Sequence, residues 1–171
     1  ATYSMLSEQG FRRSGGHVYR PNCPSCDACI PIRLPVNEFK PRRGQRRNLQ
    51  RNNDLSIHAC DPVYDPLHFD LYTRYVAARH AGGGMENPDP SSYMDFLTAN
   101  WATTTFYEIK FNRTLYAVSV VDHLEDGLSA VYTFFDPAKS EASMANHQAL
   151  SRLFSLGLIG PLAALGQATL L

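Results

Sequence analysis

No stretch of about 18 uninterrupted apolar residues occurs in the sequence, so no membrane span is expected. The nearest approach, Leu153 to Leu171, is broken by Gly157, Gly160, Pro161 and Gly166. No basic segment followed by an apolar one opens the chain, so no secretory leader is expected. Internal repeats and low-complexity tracts are missing as well. Charge of one sign is lacking: 16 Lys and Arg balance 16 Asp and Glu. Charged residues make up only 19% of the chain, too few for a disordered polyelectrolyte. Tryptophan is reduced to Trp101, read as a core residue, with stacking on a nucleotide base as the alternative. What remains is a 171-residue chain, 44% apolar. That suffices for one packed domain of ordinary size, or a core with a small module attached.

The zero net charge conceals two unlike parts. Residues 1–60 hold ten basic and four acidic side chains, and residues 61–171 carry the opposite excess. A basic front on a neutral protein predicts a polyanionic partner met by one face. A solvated surface folded against the acidic part is the plainer alternative. Cysteine is scarce, four residues, and three of them form Cys23-x-x-Cys26-x-x-Cys29. Thiols this close are poor material for disulfides. They suit a common zinc or iron–sulfur centre, each sulfur about 2.3 Å from the metal. Pro21 and Pro24 keep the segment out of helix. A fourth ligand is expected from Cys60, from His17 or from upstream of Ala1; three reduced thiols without metal are the alternative. In either case a reducing, cytoplasmic setting is expected.

Local signals give a coarse map. Residues 1–9 read as a helix stopped by Gly10, residues 11–16 as a turn, and His17 to Arg20 as a short strand. Ile30 to Val36 alternates like an edge strand carrying prolines. Phe39 to Asn53 is a basic loop or a helix start, and Leu55 to Cys60 alternates as a strand. Asp65-Pro66 opens a helix that runs to about Arg79 and ends at Gly82-Gly83-Gly84. A short helix is expected from Tyr93 to Asn100. Three strands follow, Thr103–Phe111, Leu115–Asp122 and Leu128–Phe135, with a hairpin turn at Asp126-Gly127. A last helix is expected from Ser143 to Leu156. Helices around an antiparallel meander make an α+β arrangement, with a seam near residues 61–66.

Several blocks in order carry a resemblance. They are Gly10-Phe11-Arg12-Arg13-Ser14-Gly15, then Tyr19-Arg20-Pro21-x-Cys23-x-x-Cys26-x-Ala28-Cys29-x-Pro31-x-Arg33, then Phe39-x-Pro41-x-Arg43-x-Gln45-Arg46-Arg47. Arg51-Asn52-x-Asp54-Leu55, Leu71-Tyr72-x-Arg74-Tyr75, Arg79-His80-x-x-Gly83-x-Met85 and Phe96-Leu97-x-x-x-Trp101 follow. The last are Ala117-Val118-x-Val120-Val121-Asp122 and Leu128 to Pro137. Together they resemble the aminoacyl-tRNA–protein transferases, most of all the bacterial aspartate/glutamate leucyltransferase branch, to which the arginyl-tRNA–protein transferases are related. The resemblance implies an acyltransferase-like core of the N-acyltransferase fold over residues 61–171, with a small cysteine-bearing basic module over residues 1–60. It implies transfer of leucine or arginine from aminoacyl-tRNA to the N-terminal amine of proteins beginning with Asp or Glu, which marks them for N-degron degradation. The family pattern begins some tens of residues earlier, with a further Cys in a Cys-x-Tyr-Leu context, so the chain is expected to start inside its first module. Beyond Pro137 the family's Leu-Gly-Tyr and Tyr-Lys segments are missing, and Ser143-Met144-Ala145 stands where Ser-Leu-Gly is expected. The end is therefore expected to be atypical or cut short.

Roles follow from the residue types. Arg42, Arg43, Arg46 and Arg47 suit tRNA phosphates; a solvated basic loop is the alternative. Arg12, Arg13 and Arg79 are candidate substrate-binding residues; Arg12 and Arg13 suit the acceptor's carboxylate, which a guanidinium binds bidentately, or the tRNA. Structural pairing with acids is an equal reading for Arg12 and Arg13. His80 is the candidate proton acceptor, Tyr132 the group that orients the ester, and Asp136 the amine's partner. Alternatively His80 is a helix-end surface residue and Asp136 belongs to a turn. Cys23, Cys26 and Cys29 are the metal candidates. Glu108 and Asp122 are expected on solvent faces of strands. The competing functions are a non-catalytic zinc or iron–sulfur module that grips RNA, and an acyl-CoA-dependent N-acyltransferase. The latter ranks last, because Gly82-Gly83-Gly84 follows a helix rather than opening one.

Overall fold

The computed structural model describes residues 2–83, 85, 87–139 and 169–170. The helix expected from Ser143 to Leu156 lies outside them. At the amino end, α1 (Thr2–Glu8) stops at Gly10, whose φ of +83° is left-handed. A hairpin follows, β1 (Arg12–Ser14) against β2 (His17–Tyr19), with Arg13 opposite Val18. Half of residues 11–16, expected as a turn, is thus strand. Only Gly15 and Gly16 turn, because Gly15 can take φ of +56° at no steric cost.

The alternating segment Ile30 to Val36 is strand only at β3 (Leu34–Pro35), followed by a 3₁₀ turn, Val36–Glu38. Pro31 and Pro35 lack the N–H that a ladder needs, and Ile30 and Ile32 stand 72% and 80% exposed. The basic segment forms a helix, α2 (Arg43–Arg51), opened by the Arg42 N–H donating to Gln45 Oε1 at 2.7 Å. Next come β4 (Ser56–Cys60) and α3 (Pro66–Arg79). The Asp65 carboxylate caps α3 by accepting from the Leu67 N–H at 2.7 Å. The following helix, α4 (Pro90–Leu97), starts three residues before the expected Tyr93. Asp89 and Ser92 form a capping box ahead of it, satisfying N–H groups a helix leaves open.

The meander β5 (Thr103–Phe111), β6 (Thr114–His123) and β7 (Gly127–Phe135) forms as read. With β8 (Thr169–Leu170) it makes a six-stranded sheet in the order β3-β8-β7-β6-β5-β4, antiparallel except for the β7–β8 pair. Side chains alternate across a strand, so Phe106 and Glu108, Val118 and Val120, and Tyr132 and Phe134 share one face. α3 and α4 cover that face. Tyr72 packs on Phe134 at 5.4 Å and on Tyr93 at 4.9 Å between ring centres, and Phe96 packs on Tyr132 at 5.1 Å. Phe106, Val118, Val120, Phe134 and Leu97 are fully enclosed, each contributing roughly 1.5–3 kcal/mol by leaving water. Trp101 is not in this core. It lies 43% exposed, edge-on to Tyr3 at 5.0 Å.

Candidate active site

Where β6 and β7 pair, the register passes from Val120 opposite Tyr132 to Val121 opposite Ala130, which leaves Val131 as an unpaired bulge. A bulge bends the strand and re-aims side chains. On one side of it opens a cleft of about 720 Å³, lined by Ser129, Ala130 and Val131 of β7 and by Phe11, Arg12, Arg13, Tyr19 and Arg33 of the amino-terminal segment. Arg33 is held there by donating Nη2 to the Glu8 carbonyl at 3.0 Å.

Immediately after the bulge, Tyr132 enters a group of side chains around the end of α3. The Tyr132 hydroxyl lies 3.4 Å from His80 Nε2, and His80, the residue that caps α3, stands edge-on to Tyr75 at 5.6 Å. Tyr75 also meets Phe135 at 4.9 Å, and the Arg79 guanidinium lies over Phe135 at 5.8 Å. Burial, then Tyr75 and Tyr72, push the Tyr132 phenol well above its ordinary range, so it stays protonated and can donate a hydrogen bond. Burial raises the Tyr75 phenol too, partly offset by Arg79. Asp136, at the end of β7, accepts from the Ala138 N–H at 3.0 Å and pairs with Arg74 Nη1 at 3.2 Å. His80, Tyr132, Arg79 and Asp136 therefore all sit about the junction of α3 and β7. Arg74 and Tyr75, one helical turn before the end of α3, complete the group and were not singled out in the sequence; their only signal was the Leu71-Tyr72-x-Arg74-Tyr75 block.

Arg13 has an internal role. Its guanidinium is buried against Asp122, donating Nε to Oδ2 and Nη2 to Oδ1 at 2.8 Å. Nη2 also donates to the Leu97 carbonyl at 2.9 Å. Tyr3 and Thr104 donate to the same carboxylate at 3.0 and 2.7 Å. Arg13 Nη1 is buried without a hydrogen-bond partner. Of the two adjacent arginines expected to meet an acceptor carboxylate, Arg12 is exposed at the cleft, while Arg13 already holds a carboxylate of this chain. Asp122, expected to face solvent, is fully enclosed for the same reason. Glu108, likewise expected on a solvent face, is turned inward: its oxygens meet His68 Nε2 at 2.9 Å and Lys110 Nζ. Burial pushes its carboxyl up, but the hydrogen bonds from Lys110 and His68 outweigh that and hold it below the ordinary range.

The basic residues of α2 line the outside. Arg43, Arg46 and Arg47 are exposed, and Arg46 Nη1 donates to the Pro41 carbonyl at 2.7 Å. Arg42 lines an open hollow of about 820 Å³ with Lys40, Glu38, Phe39 and Leu34. The cysteine segment makes a tight turn, Cys26 N–H donating to the Cys23 carbonyl at 3.4 Å, and all three thiols are exposed. Among the described residues they do not converge to a common ligand distance. The set that does is Cys60, His68 and Glu108. The triplet as it stands does not fit a closed metal site.

The sheet and the helices over one face define an α+β fold shared with two solved structures. The C-terminal domain of a lysylphosphatidylglycerol synthetase from Agrobacterium fabrum superposes with a TM-score of 0.52 at 11% identity, over 81% of this chain and 43% of that one. L-PGS from Bacillus licheniformis gives 0.54 at 13%, over 81% and 44%. The family profiles described as Arginine-tRNA-protein transferase, N terminus, and Arginine-tRNA-protein transferase, C terminus, match residues 1–47 and 67–155. The chain belongs to that family. Similar curated proteins are named aspartate/glutamate leucyltransferase. That of Pseudomonas fluorescens is 46% identical over 142 residues, 83% of this chain and 60% of the relative. That of Pseudomonas syringae pv. tomato is 45% identical over 148 residues, 86% and 63%. That of Halorhodospira halophila is 46% identical over 160 residues, 92% and 68%. The chain thus spans 60% and 63% of the length of the first two relatives. No helix among the described residues is long and apolar enough to cross a membrane.

Proposed function

We propose that this protein moves leucine from leucyl-tRNA to the N-terminal amine of proteins beginning with Asp or Glu, on a core of the N-acyltransferase type. The observation that carries the reading is the cleft at the Val131 bulge. Arg12 and Arg33 line it from the amino-terminal segment, and Ser129 to Val131 line it from β7. An acidic first residue needs a cation, and an acyl ester needs a place on the sheet where backbone is not already paired. The bulge and the two arginines meet both needs.

The chemistry asks little of covalent catalysis. The donor is an activated ester. The acceptor α-amine has an ordinary pKa of about 7.7–8.0, so a useful fraction is neutral near pH 7. The amine nitrogen bonds to the acyl carbon, the ester C–O bond breaks, and the amine's proton ends on the departing ribose oxygen. His80 and the neutral Tyr132 phenol hydrogen-bonded to it do not line the cleft but stand just past the bulge, and they are assigned the relay of that proton. Positioning and charge stabilisation supply most of the acceleration. Arg42, Arg43, Arg46 and Arg47 are assigned to the tRNA backbone, Arg12 and Arg79 to the acceptor.

The test is a transfer assay on the full-length protein with leucyl-tRNA or arginyl-tRNA and peptides beginning with Asp, Glu or Ala. Transfer from leucyl-tRNA that requires Asp or Glu is expected, and His80→Ala is expected to lower kcat by about 10²-fold or more. Absence of transfer with RNA binding retained would select the RNA-gripping module instead.

A further inference from the structure

α3 carries a second constellation at its other end. His68 lies twelve residues before His80, about 18 Å away along the helix, and faces the edge of the sheet. There β4 is the outermost strand. Cys60 pairs with Phe106 and His58 with Glu108, so Cys60 and Glu108 sit diagonally on the face that α3 covers. The Cys60 sulfur, a His68 ring nitrogen and a Glu108 carboxylate oxygen all lie within 4.8 Å of one another. We propose that Cys60, His68 and Glu108 form a binding site for a zinc-type divalent cation, which staples the edge strand β4 to the start of α3.

Four observations support this. The ligand atoms are one sulfur, one imidazole nitrogen and one carboxylate oxygen, the mixed set that borderline-soft zinc accepts. Their spacing is close to what an ion requires: with bonds of about 2.0–2.3 Å, neighbouring ligands of a tetrahedral site stand ~3.3–3.8 Å apart. His68 is 3% exposed, and its Nε2 already meets the Glu108 carboxylate at 2.9 Å, so a buried imidazole nitrogen is aimed at the other ligands of the set. Finally, the field is favourable, since Asp61 and Asp65 add negative potential at Cys60 to that of Glu108, against Lys110 alone. The donors stand on a strand pair and a capped helix, supports that hold geometry better than a loop does. A water would complete the site.

The exposed Cys23, Cys26 and Cys29 could also take up metal, so the test removes them. In the 171-residue chain with these three replaced by Ser, Cys60 is the last thiol. Titration with cobalt(II) is expected to give a thiolate-to-cobalt charge-transfer band and the visible bands of a four-coordinate ion, saturating at one equivalent. Cys60→Ser should abolish the charge-transfer band, and His68→Gln and Glu108→Gln should each weaken binding at least tenfold. Zinc at about a hundred times its Kd should raise the melting temperature by roughly 5 °C. Absence of the charge-transfer band would overturn the proposal, as would a band indifferent to both His68→Gln and Glu108→Gln, or a melting temperature that zinc does not move. Should His68→Gln fail to fold, Glu108→Gln at the partly accessible carboxylate carries the comparison. None of these readings needs tRNA or transfer, so the result stands apart from that of the aminoacyl transfer assay.

Discussion

Single residues carry two consequences that their types did not announce. Arg13 and Asp122 form an enclosed ion pair, and Tyr3 and Thr104 also donate to the carboxylate. Removing one partner leaves the other charge buried and uncompensated. Asp122→Ala is therefore expected to lower unfolding stability by about 3–5 kcal/mol, read from the urea midpoint. Replacing both residues with apolar ones of similar volume should recover much of that loss. Glu108 gives a pH signature. Its carboxyl titrates lower in the folded chain than in the unfolded one, because the Lys110 and His68 hydrogen bonds outweigh burial. The stabilisation is complete above the ordinary carboxyl value of about 4.3 and is lost as pH falls through the lowered folded value. Stability measured on the acid side of pH 5 should fall less steeply in Glu108→Gln than in the parent.

Elements were largely legible where the signal is local. Asp65-Pro66 opens a helix as read, and the three meander strands follow their period-two patterns, whereas the helix expected from Tyr93 is opened earlier, by Asp89-Pro90. Local reasoning failed at Ile30 to Val36, where alternation suggested a strand and the prolines left all but two residues unpaired. It failed again at residues 11–16, because a three-residue strand is recognisable only through its partner, and β2 supplies the pairing. That hairpin docks on α4 through Gly15. The Gly15 N–H donates to the Phe96 carbonyl at 2.9 Å, and a Cβ there would stand 2.4 Å from the Asp95 carbonyl oxygen. Gly15→Ala meets both that backbone clash and a left-handed φ. It is expected to cost about 1–3 kcal/mol, with a matching drop in melting temperature and no gain from shortening any neighbouring side chain.

At the scale of the whole molecule, the basic helix α2 and the cleft at the bulge are separate surfaces with separate tests. Arg46→Ala with Arg47→Ala should reduce tRNA affinity and lower the slope of log affinity against log salt by roughly one unit per lost phosphate contact. Filter binding across a salt series measures it, and an unchanged slope would remove α2 from the tRNA surface. Acceptor discrimination between Asp and Ala peptides should be unaffected by that pair and sensitive to Arg12→Ala.

By itself the sequence determined the α+β class, the meander, the Asp65 cap and the family, since these reside in neighbouring residues and in blocks whose order survives without coordinates. It also singled out His80, Tyr132 and Asp136 as candidates, and the structure brings these to one junction of α3 and β7. Only the tertiary structure decided that Arg13 is buried on Asp122 while Arg12 stays exposed. Adjacent residues of a strand point to opposite sides, and which side is interior depends on what packs there: Asp122 is 109 positions away. The same holds for Cys60, His68 and Glu108. Their meeting is set by the register between β4 and β5 and by the way α3 lies across the sheet, and no spacing along the chain records either.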